Sequence, residues 1–243
     1  MTASQFEDLA YLYEQSFEVW PYRRDVEQFS VLRALGDVTG LAALDLGCGA
    51  GSYTRLLAEH GARPVVGVDG AAGMIEYAKR REAEDPSGAT FRCQDAADPI
   101  DGRFDLVLAV HLLPYAATFE ALVAMCATAR AALSGPGKRF VTVTVNPGFA
   151  TESGYYTRYG FDLIAPSDEL SDGDPLRLRS EFLGGRIDVT PHYWSRDTQQ
   201  RALLAAGFRQ ITWWDPVCSP RADVVHFGDY LRKPPTLVVT ATA

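Results

Sequence analysis

Between residues 41 and 145, short apolar runs alternate with longer stretches whose apolar positions recur every three or four residues. The runs LAALDLG (41–47), PVVGVD (64–69), TFRCQD (90–95), FDLVLAV (104–110) and RFVTVTV (139–145) are rich in residues that suit a pleated surface and predict strands. SYTRLLAEHG (52–61), AAGMIEYAKRREAE (71–84) and FEALVAMCATARAAL (119–133) predict helices between them. Near-continuous apolar strands separated by helices imply a parallel sheet covered on both faces. The chain reads as an α/β, doubly wound, Rossmann-like domain.

The flanks follow other rhythms. Phe6, Leu9, Ala10, Tyr13 and Phe17 predict an amphipathic helix over 4–18 that Pro21 stops, and a second helix is expected over 24–35, ending at Gly36. Residues 146–175 are irregular, and PLRLRSEFLGGRIDVTPHYW (175–194) reads as two strands turning at Gly184-Gly185. A helix over 196–206, capped by Ser195 and ended by Gly207, precedes strands in FRQITWWDP and TLVVTATA. These readings make one domain: an N-terminal helical cap (1–36), a ligand-binding core (37–145), a substrate lid inserted after strand five (146–194) and the C-terminal part of the sheet (195–243).

A chain of 243 residues buries roughly 70 to 75% of its unfolded surface, enough for a core without staples. Its formal charge is −8, and basic residues cluster only at Arg23-Arg24 and Lys79-Arg80-Arg81, which argues against nucleic acid or an anionic membrane as partner. Four scattered cysteines, Cys48, Cys93, Cys126 and Cys218, suit a reduced compartment and give no zinc spacing; no metal is expected. The first residues lack a signal-peptide pattern and no run is long enough to span a bilayer, so a soluble, cytoplasmic protein is expected, as monomer or homodimer.

Candidate chemistry concentrates after the first strand. Gly47, Gly49 and Gly51 occupy the loop where an open parallel sheet binds its ligands, and glycines let a backbone approach one closely or merely turn tightly. A dinucleotide fingerprint needs a third glycine where Ser52 stands. Acids are placed instead at Asp45, before the loop, at Asp69, ending strand two, and at Asp95, ending strand three. Asp69 suits two ribose hydroxyls, Asp95 an exocyclic adenine amine, and Asp45 either the loop itself or an ammonium group. A ligand with ribose, adenine and an amino-acid tail but no phosphate fits this set.

LDLGCGAG, VVGVDGAAGMIEYAK, FRCQDAAD and FDLVLAVHLLPYA, in this order, resemble the successive motifs of class I S-adenosylmethionine-dependent methyltransferases. The resemblance covers roughly 41–145 and implies a seven-stranded sheet with an antiparallel last strand, S-adenosylmethionine as cofactor and S-adenosylhomocysteine as product. It places Gly47, Gly49 and Gly51 along the methionine part, Asp69 and Gly70 at the ribose, Met74 on the adenine, Asp95 and Ala96 at its edge, and Val110 and His111 under the sulfonium. Tyr13 resembles an N-terminal tyrosine that meets the cofactor carboxylate. Arg24 reads either as a partner of that carboxylate or as an exposed helix charge. More weakly, NPGFATESGYYTRYG, HYWSRDTQQRALLAAGF and the Phe-Glu-Asp start look similar to toxoflavin-synthase-like enzymes, which implies N-methylation of a small heteroaromatic metabolite in bacterial secondary metabolism.

Methyl transfer from a sulfonium asks for alignment and dryness, and for a base only where the acceptor must lose a proton. His111 and His192 are the candidate bases; each also has a plainer reading, His111 as a packing or cofactor contact and His192 as a lid residue facing inward or to solvent. His226 borders the last strand, and His60 reads as a surface residue. Trp20, Tyr22, Tyr115, Tyr155, Tyr156, Tyr159, His192 and Trp194 are candidates for lining a slot around a small-molecule acceptor, or for ordinary lid and core packing. Rival readings are an NAD-dependent oxidoreductase, a nucleic-acid methyltransferase and a noncatalytic cofactor-binding protein; an O- or C-methyltransferase is the alternative within the main reading.

Overall fold

The structure is a computed structural model and describes Phe6 and residues 8–243. Ten strands form two sheets: β1 (Ala43–Leu46), β2 (Val65–Asp69), β3 (Thr90–Cys93), β4 (Leu106–Val110), β5 (Arg139–Val145), β6 (Asp162–Ile164), β7 (Arg177–Phe182), β8 (Gly185–Val189), β9 (Arg209–Trp214) and β10 (Thr236–Thr242). The large sheet has the order β3-β2-β1-β4-β5-β10-β9. β1 to β5 pair in parallel, and β10 runs antiparallel to both β5 and β9. Winding reverses between β1 and β4, which opens a crevice at their carboxyl ends.

Apolar alternation explains why this sheet is covered on both sides. Leu44, Val107 and Ala109 face the helices α5 (Phe119–Ala132) and α6 (Arg196–Ala205), while Ala43, Leu106, Leu108 and Val141 face α2 (Phe29–Leu35) and α3 (Ser52–Glu59). Thr118 and Ser195 cap α5 and α6 by accepting the Ala121 and Thr198 N–H groups, and Gly207 follows α6 with φ +91°. A further helix, α4 (Ala72–Glu84), packs beside β2 and β3, and α7 (Gly228–Arg232) precedes β10.

Four local expectations are corrected. The first helix, α1, runs from Ala10 to Val19 rather than over 4–18, and positions 4, 5 and 7 lie outside the described residues. The second opens with a wide π-helical turn over Arg23–Gln28 before α2, which brings Arg23 and Glu27, four apart, together into the interior. The hairpin turn falls on Leu183 and Gly184, both with positive φ, whereas Gly185 already belongs to β8, where a Cβ would collide with Leu12 of α1. The insertion also carries a third strand, β6, because Asp162–Ile164 pairs with β7.

The small sheet and α1 close the mouth of the crevice. α1 packs on one side against Ala50, Ala71 and Met74, and on the other against Ile187 and Val189 of the insertion. Glu14 of α1 accepts from Arg55 at 2.7 Å, Tyr77 at 2.5 Å and Arg81 at 3.2 Å, which ties the helix to α3 and α4. Among the described residues, no helix is long and apolar enough to cross a membrane.

Candidate active site

A cavity occupies the crevice above the carboxyl ends of β1, β2 and β4, walled by α1 and the inserted strands. Its floor is the glycine loop. Gly49 has φ +53°, and a Cβ there would point into open cavity with only the Met74 sulfur at 3.9 Å. Its N–H donates to Asp69 Oδ2 at 2.8 Å, and Ala71 N–H donates to Oδ1 at 2.9 Å, so the carboxylate is oriented by backbone. Gly47, Gly70, Met74, Asp95, Ala96, Tyr13 and Val110 also line the cavity. Asp45 lies beneath it, buried and accepting from Thr54 Oγ1 at 2.7 Å; burial, together with the Asp69 charge, pushes its carboxyl up to about 7 despite that hydrogen bond.

The glycine loop, the carboxylates after β2 and β3 and the apolar Met74–Ala96 pair fit a nucleoside carrying an amino-acid tail. Carboxylates suited to hydroxyls and amines, rather than to a pyrophosphate, flank the loop there.

A polar corner faces this floor. His111, the first residue after β4, is a non-glycine residue at φ +58°, a conformation held by its N–H bonding to the Val143 carbonyl at 3.0 Å. Its Nε2 lies 2.7 Å from Glu27 Oε2. The other oxygen of Glu27 accepts from Arg23 Nη1 at 2.5 Å and from the Tyr53 hydroxyl at 2.9 Å. Burial alone would raise the Glu27 carboxyl, but Arg23, His111 and the hydrogen bonds from His111 and Tyr53 outweigh it and hold the group at about 2. Glu27 is therefore a carboxylate, an acceptor only, so the hydrogen between the two groups belongs to His111 Nε2. Neutral His111 then keeps its lone pair on Nδ1.

Several expected site residues stand elsewhere. Gly51 does not line the cavity; at φ +84°, a Cβ there would meet the Phe91 ring at 2.7 Å, so it serves packing of the loop. Arg24 is half exposed and lies 3.7 Å from Glu18, while its neighbour Arg23 takes the interior position. His192 is absent from the cavity wall, which its neighbour Pro191 reaches, and burial holds its imidazole below the ordinary value. Trp194 is buried on the opposite side of the sheet's edge among Leu113, Ala202 and Leu203, its indole donating to the Ala116 carbonyl at 3.1 Å. Tyr155, Tyr156 and Tyr159 form a second layer, their hydroxyls donating to the carbonyls of Asp229, Lys233 and His226 at 2.9, 2.7 and 3.1 Å. His226 packs on Tyr159 there, and His60 is exposed.

Trp20, Tyr22 and Tyr115 do line the cavity, joined by Phe161, Leu163, Leu178, Ile187 and Tyr230. Tyr156 stacks behind Phe161 at 5.3 Å, and Tyr230 N–H donates to the Tyr159 hydroxyl, so the inserted strands and the 226–233 segment form one rigid aromatic wall. Arg23, Glu27 and Tyr53 were missed by sequence reading. Their signal was present in the i,i+4 spacing of Arg23 and Glu27 beside a tyrosine-rich helix, one residue out of phase with the arginine chosen.

The methyltransferase domain family matches residues 43–137. A ubiquinone biosynthesis O-methyltransferase of Coxiella burnetii is 31% identical over 127 residues, 51% of this chain and 51% of that protein. The chain thus spans about half the length of the curated relatives it matches. Among solved structures, an S-adenosylmethionine-dependent methyltransferase of Mesorhizobium loti superposes with a TM-score of 0.64 at 25% identity, covering 89% of this chain and 97% of its own. A structure from Listeria monocytogenes assigned to the same class gives 0.63 at 27% identity, with coverages of 89% and 96%. A methyltransferase domain thus occupies residues 43–137, and in its seven-stranded sheet and glycine loop the chain is similar to S-adenosylmethionine-dependent methyltransferases. S-adenosylmethionine-dependent methyl transfer is what these two solved structures carry by name.

Proposed function

We propose that the enzyme methylates a hydroxyl group of a small aromatic molecule, with His111 as general base and Glu27 as the residue that positions it. The observation that carries this reading is the 2.7 Å contact between His111 Nε2 and Glu27 Oε2 inside the cavity. A nitrogen with a free lone pair needs only alignment, whereas a hydroxyl must lose a proton as it attacks. An imidazole whose second nitrogen is fixed by a buried carboxylate is built for that loss, because the carboxylate selects the tautomer and stabilises the imidazolium that forms.

The bound cofactor supplies an electrophilic methyl group on a sulfonium. Asp69 would hold its ribose hydroxyls, Met74 and Ala96 its adenine, Asp95 the adenine edge, and Asp45 with Tyr13 would stand beside its amino-acid tail. His111 accepts the acceptor proton at Nδ1, Glu27 keeps the ring oriented, and the apolar wall of Phe161, Leu163, Leu178 and Ile187 excludes water. The Coxiella burnetii relative is by name an O-methyltransferase, which supports oxygen over nitrogen. The expectation of nitrogen came from segments 146–160 and 192–208 and from the Phe-Glu-Asp start, of which, among the described residues, only Phe6 lines the cavity.

The test is a panel of phenols and heteroaromatic amines with the purified enzyme and its His111→Ala variant. Methylated phenols and a loss of about a hundredfold or more in turnover, with cofactor affinity kept, are expected. Transfer to nitrogen alone, or full turnover of the variant, overturns the reading.

A further inference from the structure

Arg23 is over-supplied with donors for the partners it has. It is 8% exposed, its guanidinium carbon lies 4.2 Å over the Phe17 ring, and it lines the cavity. Of its five N–H groups, one reaches Glu27 at Nη1. Nε is buried without a partner, and Nη2 makes no hydrogen bond among the described residues. Tyr22, adjacent in sequence and also in the cavity wall, has a hydroxyl that likewise bonds to none of the described residues. The buried indole Nε1 of Trp20, a third wall residue, has no partner either. Unspent donors on buried side chains cost desolvation with nothing returned, unless a ligand supplies acceptors.

We infer that the Tyr22–Arg23 corner binds an uncharged carbonyl oxygen of the methyl acceptor, so that the acceptor is a hydroxyl conjugated to a ketone, quinone, lactone or amide. Arg23 and the Trp20 indole can only donate and the Tyr22 hydroxyl can donate beside them, which calls for an accepting oxygen. Charge decides which kind. The guanidinium is already paired with Glu27, so a carboxylate on the acceptor would have to share that cation, whereas a neutral oxygen takes the unused donors without adding charge. Trp20 and Tyr22 also belong to the acceptor side: Trp20 packs on Phe182 and Tyr22 on Phe161 and Tyr230, away from the glycine loop.

The conjugation rests on the reading of His111 as base. Arg23 and His111 are tied to the two oxygens of one carboxylate, so one bound molecule meets both within its own width. His111 Nδ1 takes the hydroxyl proton, and the charge left behind spreads through the conjugated system to the carbonyl oxygen, where Arg23 and Tyr22 donate. The hydroxyl oxygen gains the methyl carbon as the bond to sulfur breaks with its electron pair, and the proton on His111 leaves to solvent.

The experiment uses ligand-observed magnetic resonance on enzyme saturated with S-adenosylhomocysteine, with acetophenone, ethylbenzene and benzoate as probes. Acetophenone is expected to bind at least about fivefold more tightly than either control, and Tyr22→Phe to remove most of that margin while leaving ethylbenzene unchanged. Arg23→Lys, which keeps a cation for Glu27, should remove it as well, with circular dichroism showing a folded protein. Ethylbenzene or benzoate equalling acetophenone, or none binding, overturns the assignment. So does a tenfold loss of S-adenosylhomocysteine affinity in Arg23→Lys with acetophenone unaffected, since the guanidinium would then serve the cofactor. None of these probes has a methylatable hydroxyl, so the result stands apart from the choice between oxygen and nitrogen; a carbonyl preference in an enzyme that methylates only amines would sink the base and spare the corner.

Discussion

Glu27 and His111, 84 positions apart in the chain, meet at 2.7 Å because a π-helical turn and a left-handed residue each aim a side chain at the same point. Neither conformation is the default for its residues, and each places its group where regular structure would not. Glu27→Gln keeps the shape but removes the charge that stabilises an imidazolium. Turnover should fall about ten- to a hundredfold, because the imidazolium formed on proton uptake loses its carboxylate partner. A stopped assay across pH 5 to 9, with cofactor affinity measured in parallel, separates this from a folding defect.

Asp45 makes apo-protein stability fall as pH rises. Its folded carboxyl titrates near 7 against an ordinary value of 3.8, so between these limits the native state holds a proton that the unfolded chain has released. Asp45→Asn has no such group. The variant should gain on the parent by on the order of a few kcal/mol between pH 4 and 8, most of it accruing below pH 7 and little beyond. Denaturant melts at pH 5 and pH 8 check the sign; a parent that gains on the variant as pH rises would contradict it.

Asp69→Ala removes the acceptor of two backbone N–H groups as well as the candidate ribose partner. Cofactor affinity should drop at least about tenfold, since charged hydrogen bonds contribute roughly 1.5 to 3 kcal/mol each. Calorimetric titration with S-adenosylhomocysteine reads this directly, and an unchanged dissociation constant would remove Asp69 from the site.

Gly160 sits at φ +96°, and a Cβ there would land on the Trp20 indole. Gly160→Ala should destabilise the enzyme by about 2 to 4 kcal/mol through backbone strain and displacement of the ring. Because Trp20 lines the cavity on the inserted side, acceptor KM should rise while the cofactor dissociation constant stays within about twofold. Thermal melts and the two binding measurements together check it.

The sheet was legible because strand period and strand sequence agree at every position that matters. RFVTVTV became β5 residue for residue, and the acids at Asp69 and Asp95 followed from where strands end. Facing was not legible where no period governs it. Arg23 and Arg24 are neighbours, and in a helical turn neighbours differ by about 100° in direction, so a one-residue error exchanges a buried donor for a solvated one. Tyr155, Tyr156 and Tyr159 lie in an irregular segment whose partners come from 226–233, about seventy residues on, and nothing local records that pairing. Gly51 was read as a ligand contact because its spacing matches Gly49; only the Phe91 ring behind it tells the two apart.

The placing of α1 has a consequence for the order of events. One face of this helix covers the nucleoside side of the cavity through Tyr13 and Phe17, and the other is seated on the inserted strands through Leu12, with Glu14 pinned by Arg55, Tyr77 and Arg81. A door hinged in this way serves two rooms. An outward movement of α1 would uncover the nucleoside side at Tyr13 and Phe17 and unseat Leu12 from the inserted strands in the same step.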